Sequence, residues 1–102
     1  MAHKVVFRDQ ANAELTALYD YIADNSGPTV AIAYVRRLRD ACMALEHFPE
    51  RGTRRDDILK GLRTIGFERR VTIAFRVLKS RVEIITVAYG GRSFESELKR
   101  KG

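Results

Sequence analysis

At 102 residues and 11.6 kDa, with 45% hydrophobic and 31% charged residues, the chain has the size and composition of a single folded domain, residues 1–102, and not those of a disordered segment. Nineteen Lys and Arg against thirteen Asp and Glu leave a formal charge of +6, which points to an acidic partner: nucleic acid, an acidic protein segment, or an enzyme bound to nucleic acid. One cysteine and two distant histidines give neither an internal disulfide nor a zinc set, so no metal or cofactor is expected; with no signal-peptide core and no run long enough to span a membrane, the chain reads as cytoplasmic.

Lys4 to Phe7 are short and rich in β-branched residues, a first strand, and Asp9 is expected to cap the helix that follows. Ala11, Leu15, Leu18 and Ile22 recur at spacings of four, three and four, one stripe of a helix of about four turns. Asn25-Ser26-Gly27-Pro28 stops that helix and starts another, because Gly27 permits a left-handed turn and Pro28 suits a first helical position. The second helix carries Ala31, Val35, Leu38, Cys42 and Leu45, flanked by Tyr34, Ala41 and Phe48, and ends at Pro49 and Gly52. Cys42 on this stripe reads as a small buried apolar residue.

Glu50 to Lys60 read as a polar loop, and Arg51, Arg54 and Arg55 within it lack the glycine spacing of a phosphate loop. Beyond it the period becomes two. Gly61 to Gly66 form a short strand, Val71 to Val77 a second, Lys79-Ser80-Arg81 a turn, and Val82 to Tyr89 a third; Gly90-Gly91 break the sheet and Phe94 with Leu98 suggest a short terminal helix. The implied class is α+β: an N-terminal strand, an antiparallel helical hairpin, then a three-stranded, largely antiparallel sheet and a short C-terminal helix. The last strand is apolar on both parities, Val82, Ile84 and Ala88 on one and Ile85, Val87 and Tyr89 on the other, so a second sheet face is left for a partner, or for the terminal helix folding back, to cover.

The ordered set Gly61-Leu62-Arg63, Val71 to Val77, Val82-Glu83-Ile84 to Val87 and Gly91-Arg92, preceded by the helix end Ala44 to Gly52, resembles toxins of the RelE/ParE superfamily, nearer the ParE branch. The resemblance implies a type II toxin held inactive by a cognate ParD-like antitoxin. ParE relatives inhibit DNA gyrase, whereas RelE relatives cut messenger RNA on the ribosome, and the fold alone does not separate them. Tyr89 and Ser93 stand where many ParE-like sequences have His and Asp.

Cleavage by a 2′-hydroxyl requires a base, an acid and cations around the phosphate. The residues for that chemistry are Arg63, Tyr89 and Arg92, with Lys60 and Arg76 near them in sequence; His3 and His47 stand away from them, His47 in the last turn of a helix. For a gyrase inhibitor without catalysis, Arg63, Arg76 and Arg92 are the expected target contacts, the plainer alternative being surface cations or an ion pair with Glu95. The antitoxin is expected along a small-residue stripe, Ala13, Ala17 and Tyr21 on one helix and Val30 and Ala33 on the other, continuing onto Ile85, Val87 and Tyr89, with Arg37 and Arg92 attracting an acidic ligand. A non-toxic basic nucleic-acid-binding domain is a further alternative, supported by charge alone.

Overall fold

The computed structural model describes residues 4–89; the expected terminal helix, Arg92, Ser93, Glu95 and His3 lie outside the described residues. Strand β1 (Lys4–Phe7) leads into helix α1 (Asp9–Ser26), and Gly27 at φ 95° turns the chain into α2 (Pro28–Met43). A 3-10 turn (Ala44–Glu46) follows, then β2 (Thr53–Arg54), β3 (Leu62–Phe67), β4 (Val71–Val77) and β5 (Arg81–Tyr89). The strands form one five-stranded sheet in the order β1-β5-β4-β3-β2, with β1 parallel to β5 and every other pair antiparallel. Among the described residues no helix is long and apolar enough to cross a membrane.

The α+β class and the hairpin match the expectation, with differences in local detail. Asp9 is the first helical residue and not the cap: extended Arg8 holds the cap position with no side-chain bond, so Asp9 contributes only its charge beside the positive helix end. The polar loop hides β2, whose two exposed residues carry no hydrophobic alternation to reveal it. Phe48 lies beyond the helix and is 66% exposed instead of flanking the α2 stripe, and His47 caps the 3-10 turn beside Glu46.

Ala11, Leu15, Leu18 and Ile22 of α1 and Ala31, Leu38 and Cys42 of α2 are buried against one sheet face. Val71, Ile73, Phe75 and Val77 meet them from β4, opposite Tyr89, Val87, Ile84 and Val82 of β5. That register skips Ile85: Ala74 pairs with Thr86 and Phe75 with Ile84, so β5 carries one extra residue, a β-bulge. The bulge reverses the parity of the strand. Val87 and Tyr89 therefore share the helix-covered face with Val82 and Ile84, and Ile85 lies on the other face with Leu62 and Ala74, under Ile58 and Leu59 of the loop before β3. The expected continuous track of Ile85, Val87 and Tyr89 on one open face is thereby corrected.

Candidate functional site

Strand β1 stops at Phe7, opposite Ile84, and the Arg8 amide makes the last bond of that edge to the Ile84 carbonyl at 3.0 Å. From Thr86 onward the outer edge of β5 has no strand partner among the described residues. A side chain of α1 fills the first unpaired position. The Glu14 carboxylate accepts from the Val87 amide at 2.9 Å and from the Thr86 hydroxyl at 2.7 Å, and Gln10 donates to Thr86 at 3.3 Å. Thr86 is 1% exposed, a buried hydroxyl tolerable because its bonds are made.

Beside Glu14 the edge of β5 and the flank of α1 diverge into an apolar groove of about 240 Å³, lined by Glu14, Ala17, Leu18, Tyr21, Val87 and Tyr89. Ala17 is exposed and small, which leaves the hollow, and Tyr21, 56% exposed, stands against Tyr89 with ring centroids 5.7 Å apart to form its end wall. This volume falls below the roughly 300–1,000 Å³ usual for small-molecule sites and suits a large apolar side chain of a partner. Ala17, Tyr21, Val87 and Tyr89, named from sequence, are brought together here; Ala13, Val30 and Ala33 are exposed on the helices outside this groove.

Behind Tyr89 the Tyr34 ring meets Phe67 edge-on at 5.6 Å, and the Arg37 guanidinium lies over it at 5.4 Å. Burial pushes the Tyr34 phenol up from its ordinary value; Glu68 and Tyr89 add to the shift, and Arg37 and Arg70 oppose it. Arg37, expected from sequence to attract an acidic ligand, is paired within the chain. Its fork holds Glu68 at 2.9 and 3.2 Å, tying α2 to the β3–β4 turn and holding the Glu68 carboxyl below the usual range.

Of the arginines expected at one target surface, Arg63 and Arg76 are separated, and Arg92 lies outside the described residues. Arg76 lies on the sheet face opposite the helices, at 3.2 Å from Glu83, which Arg8 also meets at 3.0 Å. Burial disfavours a charged Glu83, but these two arginines outweigh it and hold its carboxyl low. Arg63 pairs with Phe75 and so faces the helix side, with no ion-pair partner among the described residues. Tyr89 shares that side but pairs with Val71, so Arg63 and Tyr89 are offset by roughly 13 Å along the strands and about 10 Å across them. Cys42 is buried as expected, and burial pushes its thiol up to about 12.

Sequence reasoning missed Glu14 and Thr86. Glu14 sits three residues after Ala11 on the shoulder of the buried stripe, and Thr86 is the one polar residue between Ile84 and Ala88, but the two lie 72 positions apart and only the folded chain brings them together.

Comparison with known proteins agrees with this architecture. Residues 5–94 match the family described as the ParE toxin of type II toxin-antitoxin system, parDE. Comparison with curated proteins gives no match. Among solved structures, the chain is similar to one titled "Chromosomal ParDE TA system from P. aeruginosa", at 24% identity and a TM-score of 0.77, over 87% of this chain and 97% of that one. A family match over nearly the whole length, on the fold built above, means that the chain belongs to the ParE toxin family of type II toxin–antitoxin systems.

Proposed function

We propose that the chain inhibits DNA gyrase by binding, without cleaving RNA, and that a ParD-like antitoxin neutralises it through the groove between α1 and β5. The observation that carries the first half is the separation of Arg63 from Tyr89. Ribonuclease chemistry needs its base and its cations within hydrogen-bond reach of one phosphate, and these two side chains start from positions several residues and two strands apart. The plain nucleic-acid binder is less well supported: Arg8, Arg37, Arg55 and Arg76 are engaged by carboxylates of the same chain, so fewer cations are open to phosphate than the count of nineteen Lys and Arg suggests.

For the antitoxin, the groove offers Ala17 as a point of close approach, Tyr21 and Tyr89 as aromatic walls, and a β5 edge that continues past Val87. An amphipathic helix seated on Ala13, Ala17, Val30 and Ala33 would place one apolar side chain in this hollow. Purified chain added to gyrase in a plasmid supercoiling assay is expected to block supercoiling, and added antitoxin to restore it. Undiminished supercoiling at a large molar excess of the chain rejects the gyrase reading.

A further inference from the structure

The far edge of the sheet carries an arrangement that stability does not account for. Arg54 of β2 stands directly across from Arg63 of β3. Like charges at directly opposed positions destabilise a strand pair. The chain nonetheless holds this register from both sides. Gly52, at φ 80°, approaches β3 so closely that a Cβ would lie 2.3 Å from the Thr64 carbonyl oxygen, a position only glycine can occupy. On the other side the Arg55 amide donates to the Leu62 carbonyl at 2.8 Å, and the Gly61 amide donates to the Asp56 carboxylate at 2.8 Å. Arg54 also meets Asp56 at 3.2 Å, but both side chains are exposed, and such a pair exchanges readily for another carboxylate.

The two arginines border a cleft of about 280 Å³ completed by Pro49, Glu50, Gly61 and Val77. We propose that this cleft binds a carboxylate side chain of an acidic segment in a protein partner, clasped between the guanidinium groups of Arg54 and Arg63. Paired planar forks match a carboxylate through charge-assisted hydrogen bonds. Pro49 and Val77 give an apolar wall for a neighbouring aliphatic side chain. The lining has no aromatic residue on which a base could stack, so protein fits better than nucleic acid. The cleft lies beside Val77 and the β2–β3 edge, diagonally across the sheet from the groove at Tyr89, so both can be filled at once. It rests on the reading above only in taking the partner to be a protein.

The test needs neither gyrase nor antitoxin. Nitrogen-15 labelled full-length chain is titrated with N-acetyl-leucyl-glutamyl-leucine amide, following the Nε–H signals of Arg54 and Arg63 and the amide of Gly61. Saturable shifts are expected with this peptide and not with its glutaminyl counterpart. Arg63→Gln and Arg54→Gln should each weaken binding by roughly tenfold or more. Gly52→Ala should weaken it too, although both arginines remain; unchanged signals elsewhere in each variant verify the fold. Equal shifts from the glutaminyl peptide, or none from either, overturn the proposal. Tighter binding by inorganic phosphate or a DNA oligonucleotide overturns it in favour of a phosphate site. A chain that binds the peptide yet leaves gyrase active refutes the proposed target and not the cleft.

Discussion

Glu14 and Glu83 each join parts of the chain distant in sequence, and each predicts its own measurement. Replacing Glu14 by Ala leaves the buried Thr86 hydroxyl and the Val87 amide without their acceptor, which should cost about 1–3 kcal/mol in urea unfolding. Glu14→Gln keeps one acceptor oxygen and should cost less; equal losses would mean that packing, not the hydrogen bonds, sets the value. Glu83 is held below its ordinary 4.5 by Arg8 and Arg76, so it adds stability above that value, and the contribution fades as pH falls through its lower folded value. Glu83→Gln should therefore destabilise by about 1 kcal/mol at pH 7 and by less at the acid end, a loss kept small by the solvent reaching both arginines. A constant difference across pH would contradict that assignment. At this scale the sequence was legible where a residue's environment follows from its neighbours, as for Cys42 on its helical stripe. It was not legible for Glu14 or Arg37, whose partners lie 72 and 31 positions away.

Among the elements, α1 and α2 were readable because their apolar spacing is long and regular, and β4 because its alternation is unbroken. Strand β5 misled because one inserted residue, Ile85, changes which parity faces the helices, and a bulge leaves no mark in composition. The β3–β4 turn holds Glu68 at φ 46° and Arg69 at φ 63°, left-handed conformations usually given to Asn or Gly. Arg69→Gly should raise stability by up to about 1 kcal/mol by relieving that strain, less what glycine adds to the freedom of the unfolded chain. Glu68→Gly should gain nothing, since it also releases Arg37 from α2; equal gains in thermal unfolding would show that the tie is idle. The groove gives a second prediction at this scale. Ala17→Glu places a charge in its floor and should weaken antitoxin binding by tenfold or more without lowering the melting temperature, since the position is exposed. Affinity within twofold of the parent chain would remove the antitoxin from this groove.

Within the described residues the molecule is a helical hairpin on one face of a five-stranded sheet, and the two proposed recognition features lie at diagonal corners, the groove at the edge of β5 beyond β1 and the arginine pair at the β2–β3 edge. The resemblance carried by the GLR segment and the paired C-terminal strands implied this fold and this family, and residues 5–94 match it. The choice of target depends on how far apart Arg63 and Tyr89 stand, which chain order alone does not convey. That choice is decided most directly by inducing the chain in growing bacteria without its antitoxin, then following the DNA-damage response, plasmid supercoiling and messenger RNA integrity in the same culture. Growth arrest with an induced damage response, altered supercoiling and intact messages is the predicted result. Codon-specific cuts in ribosome-bound messages, with supercoiling unchanged, would contradict it.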